Sequence, residues 1–110
     1  MQIFTEATAS FDASHMVKNP LRCSKQHGHS FEVTARVQGD YQPEVQEELE
    51  VLLRELDGRD LNVMMIAGDP SVTGIAAWIM ERLLHLHPRL VRVQVTDSKG
   101  LTGVAERELR

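Results

Sequence analysis

The sequence predicts an α+β fold, a four-stranded antiparallel sheet with two helices on one face. Two observations give the elements. Apolar and polar residues alternate along 2–14, 28–38 and 90–97, the period of strands, and a short hairpin connection after the last of these leads to a fourth strand over 101–109. Between the second and third of these, residues 43–56 and 70–86 carry apolar residues at helical spacing. The third observation is their order: strand, strand, helix, helix, strand, strand. An antiparallel sheet with both helices on one face satisfies that order.

The first strand has Ile3, Thr5, Ala7, Ala9, Phe11 and Ala13 on one parity and closes on His15. Small residues on the inward parity suggest close packing against helices or another chain. Residues 16–26, with Asn19-Pro20, read as a loop that bears Cys23. In the second strand Phe31, Val33, Ala35 and Val37 alternate with Glu32, Thr34, Arg36 and Gln38, and Gly39-Asp40 ends it. Pro43 suits the first turn of a helix. Val45, Leu49, Leu52, Leu53 and Leu56 form its apolar stripe, with Glu44, Glu47, Glu48, Arg54 and Glu55 opposite. Residues 57–70 read as a loop or short turn. Asp69 is the expected cap of the second helix, with Pro70 in its first turn. That helix stops before Pro88, is apolar on most sides and should be well buried; Gly74 is its weak spot. Val91, Val93 and Val95 share one face of the third strand, and Ser98-Lys99-Gly100 is a short hairpin connection to the fourth.

A length of 110 residues suits one domain, 1–110, with one modest core. Hydrophobic residues make up 42% and charged residues 25%, ordinary for a soluble globular chain. The net charge of −4, with acidic residues concentrated in 44–60, argues against a nucleic-acid partner or an anionic membrane surface. No apolar run approaches a membrane span. The start Met1-Gln2-Ile3-Phe4 lacks the basic and apolar blocks of a secretory signal. One cysteine excludes an internal disulfide framework, so a reducing cytoplasm is the expected compartment.

The chemistry centres on Cys23-Ser24-Lys25-Gln26-His27-Gly28-His29, read with His15. His27 and His29 share a strand face, and His15 closes the apolar parity of the first strand. If the two strands pair, three imidazoles meet at one end of a sheet. Three histidines without a fourth protein ligand form the pattern of a catalytic zinc site, whose open position takes water or substrate. Imidazoles also suit nickel, copper and iron. A bare His-x-His is often only a polar strand end. The third histidine at matching parity and the nearby Cys23 favour the metal.

Phe11-Asp12-Ala13-Ser14-His15, Cys23-x-x-x-His27-Gly28-His29, Leu56-Asp57 and Leu61-Asn62 follow one another as in a known family. The chain resembles, over nearly its whole length, the 6-pyruvoyl-tetrahydropterin synthase and 6-carboxy-tetrahydropterin synthase family. The resemblance implies the tunnelling fold, in which subunits join their sheets into a barrel, commonly trimers stacked into a homo-hexamer, with active sites between subunits. It implies Zn²⁺ on His15, His27 and His29. It makes Cys23 the catalytic cysteine, whose thiol near a dication loses its proton near neutral pH and serves as a base. A lone Cys is otherwise a small buried hydrophobe, which suits the polar surroundings of Arg22 and Lys25 poorly. Asp57 matches the acidic half of a catalytic Asp-His pair, although a plain turn residue is the alternative reading.

The sequence departs from the family elsewhere. Gly58 replaces the histidine after Asp57, and His85 and His87, at the far end of the second helix, are no obvious substitutes. Where the family's second helix opens Pro-Thr-x-Glu-Asn, this chain reads Pro70-Ser71-Val72-Thr73-Gly74. The family's Glu-Thr at the end of the third strand, whose Glu accepts two N–H bonds from the pterin, is Val95-Thr96 here. Thr73, Val95 and Thr96 thus hold the positions implied for substrate contacts. Leaving pterin donors unpaired in a buried pocket costs about 1–3 kcal/mol each. Asp97 shares the face of Val95, and we do not expect it to replace the missing acceptor. The expectation is a zinc-dependent lyase or cyclase-type enzyme. Its substrate would be a small hydroxyl- or carbonyl-bearing molecule other than dihydroneopterin triphosphate. The alternatives are an ordinary synthase acting on that triphosphate and a non-catalytic zinc-binding scaffold.

Overall fold

Four antiparallel strands in the order β1-β2-β3-β4 form one sheet in the computed structural model, which describes residues 1–15, 27–64 and 70–109. The side chains of His15 and of residues 27–29 are outside that description, as are Cys23 and Asp69. The elements are β1 (Phe4–His15), β2 (His27–Gln38), α1 (Glu44–Arg54), α2 (Leu61–Met64), α3 (Val72–Leu84), β3 (Leu90–Asp97) and β4 (Thr102–Glu106). The expected α+β order holds, with one addition. The stretch read as a loop contains the short helix α2, four residues too few to show a helical period.

Alternation builds the sheet as the sequence suggests. Ala7, Phe11 and Ala13 of β1 are buried, as are Phe31, Val33, Ala35 and Val37 of β2 and Val93 and Val95 of β3. These residues form the floor under α1 and α3. Helix α1 lies over β1 and β2 with Val45, Leu49 and Leu53 facing down, and α3 lies over β3 and β4 with Val72, Ile75, Ala76, Ile79 and Leu83 buried. Gly103 of β4 explains how closely α3 sits. A Cβ there would come within 2.4 Å of the Thr73 amide nitrogen, so only glycine lets the helix start rest on the strand.

Helix α3 begins later than the sequence suggests. Its N-cap is Ser71, whose hydroxyl accepts the Gly74 N–H at 3.2 Å, so Pro70 precedes the helix and does not lie in its first turn. Ser71 wins because a short hydroxyl in extended backbone reaches a free N–H of the first turn. The amide of Gly74, the residue read as a weak spot, is the group it satisfies.

The opposite face of the sheet is polar, and no helix among the described residues lies over it. Arg36 pairs with Glu6 at 2.7 Å and lies over the Phe4 ring, Thr8 meets Thr34, and Thr96 meets Thr102. No helix among the described residues is long and apolar enough to cross a membrane.

Candidate active site

The β1–β2 register sets His15 opposite His27 and Ala13 opposite His29. Residues directly opposed in an antiparallel ladder share a face. The three histidines therefore occupy one parity at one end of the ladder, the parity of Phe11 and Phe31. Those two rings stack at 5.0 Å just inside the histidine pairs and close the core there. Three imidazoles are a donor set that suits zinc with one position left open. Among the described side chains no group of three or more His, Cys, Asp or Glu is gathered to hold a metal, and the side chains of His15, His27 and His29 lie outside that description.

This end of the sheet is held from an unexpected side. Strand β3 stops at Asp97, opposite Phe31, so the ladder of residues 12–15 with 27–30 lacks a third strand from β3. Residues 57–60 run along the free edge of β1 instead. Asp57 Oδ1 accepts the Asp12 N–H at 2.9 Å, the Gly58 N–H donates to the Asp12 carbonyl at 2.6 Å, and the Ser14 N–H donates to the Arg59 carbonyl at 3.0 Å. A parallel bridge joins Ser14 to Asp60. Gly58 has φ +73°, a conformation glycine adopts freely, and a Cβ on it would meet nothing within 4 Å. Leu56 and Leu61, both 0% exposed, root the strap in the core on either side. Asp57 itself is exposed. The strap was not legible in the sequence. Its signal was a polar turn bracketed by two leucines, Leu56 and Leu61.

A cleft of about 530 Å³ opens beside the strap, lined by Asp12, Ser14, Ser30, Gly58, Arg59 and Ser98. Ser30 Oγ donates to Asp12 Oδ1 at 2.6 Å on its wall. Another cleft, of about 390 Å³, lies at the far end of the sheet among Phe4, Arg36, Arg92 and Arg107. It is remote from the histidines.

The positions implied for substrate contacts do not converge. Val95 is 0% exposed, paired between Val33 and Gly103 and sealed under α3. Thr96 stands on the bare face, where its hydroxyl meets that of Thr102 at 2.8 Å. Thr73 is exposed at the start of α3, with its hydroxyl 3.1 Å from that of Ser71. Asp97 is 9% exposed, and its Oδ1 accepts the N–H groups of Lys99 and Leu101, closing the β3–β4 hairpin. That carboxylate is committed to the turn.

The two later histidines sit at the far end of the sheet. His85 caps α3 and is exposed. His87 is 6% exposed and its Nε2 meets the Glu48 carboxylate of α1, so it ties the end of α3 to α1.

A sequence profile described as 6-pyruvoyl tetrahydropterin synthase matches residues 5–108. No curated protein sequence gives a significant match. Among solved structures, Caenorhabditis elegans 6-pyruvoyl tetrahydropterin synthase superposes with a TM-score of 0.79 at 16% identity, covering 98% of this chain and 97% of that one. Plasmodium falciparum 6-pyruvoyl tetrahydropterin synthase gives 0.71 at 11% identity, covering 98% and 99%. An uncharacterised protein from Wolinella succinogenes gives 0.71 at 16% identity, covering 96% and 99%. At these identities the superpositions show a shared fold. The profile match spans nearly the whole chain, and with it this protein belongs to the 6-pyruvoyl tetrahydropterin synthase family of lyase-type enzymes of tetrahydropterin synthesis.

Proposed function

We propose that this chain is a zinc-dependent lyase or cyclase-type enzyme whose substrate is a small hydroxyl- or carbonyl-bearing molecule other than dihydroneopterin triphosphate. One observation carries the departure from the family's substrate. Val95, at the position of the pterin-anchoring glutamate, is fully buried in apolar contact, and the nearest carboxylate along its strand face, Asp97, already accepts two backbone N–H groups. Neither residue offers a pterin ring the paired acceptors it needs.

His15, His27 and His29 are the residues that would hold the metal, supported by their shared parity at the end of the β1–β2 ladder. When bound, zinc supplies Lewis acidity toward a substrate hydroxyl or carbonyl oxygen. Cys23 is the residue assigned to take and return a proton, as a thiolate whose charge a neighbouring dication favours. With Gly58 in place of a histidine, no imidazole follows Asp57 to share that proton transfer.

The bare face, the β4 edge and the part of the β1 edge ahead of the strap support assembly of copies into a barrel, a homo-hexamer in the family's manner, with sites between subunits. A reducing, cytoplasmic setting fits the single cysteine.

The test is incubation of the zinc-loaded protein with dihydroneopterin triphosphate, following release of triphosphate. The proposal expects no turnover above the protein-free rate. Release that depends on both zinc and Cys23 would establish the ordinary synthase instead.

A further inference from the structure

We infer that Asp57 is a positioning residue for His15: its carboxylate clamps the end of β1 and fixes the one histidine of the set that stands on an edge strand. The inference rests on the metal site proposed above.

The reasoning starts from the ladder. β2 is supported by β3 only as far as the Phe31–Asp97 pair. His15 pairs with His27 four residues further along β2. A two-stranded ribbon end is marginal in water, because each pair has one neighbour and both outer rows of N–H and C=O face solvent. Ligands on such an end would be held loosely, and a metal would have to order them when it binds. Residues 57–60 remove that cost by acting as a third strand on the other side. They take both backbone groups of Asp12 and the N–H of Ser14, the residue next to His15.

Two of those three bonds come from the strap's own backbone. The bond to the Asp12 N–H comes from the Asp57 side chain alone, at 2.9 Å. The strap is itself anchored at both ends. Buried Leu56 and Leu61 hold its ends, and Asp60 caps the turn that follows by accepting the Asn62 N–H at 3.0 Å. Gly58 at φ +73° turns its N–H onto the Asp12 carbonyl. A carboxylate occupied by a main-chain N–H on the far edge of β1 is placed to set backbone geometry.

The clamp and a proton-transfer role make opposite demands on one substitution. Asparagine keeps the acceptor oxygen and loses the titratable group. Alanine loses both. Zinc affinity would be measured by competition with a chromophoric chelator for the native protein, Asp57→Asn and Asp57→Ala. Exchange of the Asp12 amide would be followed in the metal-free proteins.

The expected result is zinc binding about tenfold weaker in Asp57→Ala and within about twofold of native in Asp57→Asn. The Asp12 amide should exchange faster only in Asp57→Ala. The inference is overturned if Asp57→Ala binds zinc as tightly as native, or if Asp57→Asn loses as much affinity as alanine. It is also overturned if Asp12 protection is the same in native and Asp57→Ala. A native protein that takes up no zinc removes the proposed metal site, and the positioning role with it. Unchanged Asp12 protection beside normal native zinc uptake removes the clamp alone.

Discussion

The two halves of the sheet finish differently at the same end. In the β1–β2 half, the ladder runs on past Phe31 and carries three histidines on the parity of the core. In the β3–β4 half, the same parity presents Val95 to the core and spends Asp97 on its own hairpin. One half ends in residues of a type that ligates metals, and the other ends in groups already satisfied. On the proposed reading, the residues suited to a metal are kept while the position of the pterin anchor is given over to packing. On that reading a metal site and a substrate anchor are separable features of one scaffold, because the residues proposed for each sit on different strand pairs.

The comparison breaks most sharply at the histidines. His27→Ala should weaken zinc binding by more than about a hundredfold, beyond what loss of an outer-shell contact causes. Chelator competition measures it. The next largest effect belongs to Val95→Glu. Placing a carboxylate where the side chain is fully buried should cost about 3 kcal/mol or more, read as a lower urea midpoint. A stable variant that gained pterin affinity would show that the β3–β4 half had kept a pocket. Gly103→Ala drives a methyl into the start of α3 and should destabilise by about 1–3 kcal/mol, measured in the same way. Asp97→Ala frees two hairpin N–H groups and should cost about 1–2 kcal/mol while leaving zinc affinity unchanged. The smallest change is Ser71→Ala, about 1 kcal/mol from the lost cap of α3.

Much of this was legible in the residues because periodicity reports burial. The alternation of Phe31, Val33, Ala35 and Val37 and the spacing of Val45, Leu49 and Leu53 each mark the face that the structure buries. The strap of residues 57–60 was not legible. Its bonds are mostly backbone to backbone, which side-chain pattern does not encode, and Asp57-Gly58 reads equally well as any turn. The expectation that Asp97 does not replace the missing acceptor holds, for a reason the sequence did not display. Its parity was right for the face of Val95, yet a carboxylate two residues before Lys99 finds the hairpin amides first. The cap of α3 was misplaced because Asp69 and Ser71 both precede an apolar run, and only backbone geometry separates them. His87 was placed only at the far end of the second helix, and its near-complete burial against Glu48 depends on a contact 39 positions away in the chain.

The most direct test is an equilibrium titration of the native, zinc-loaded protein with dihydroneopterin, followed by pterin fluorescence after zinc has been counted per chain. The account predicts one zinc per chain and no saturable pterin binding in the micromolar range. Saturable micromolar binding of the pterin, or a chain that takes up no zinc, would contradict it.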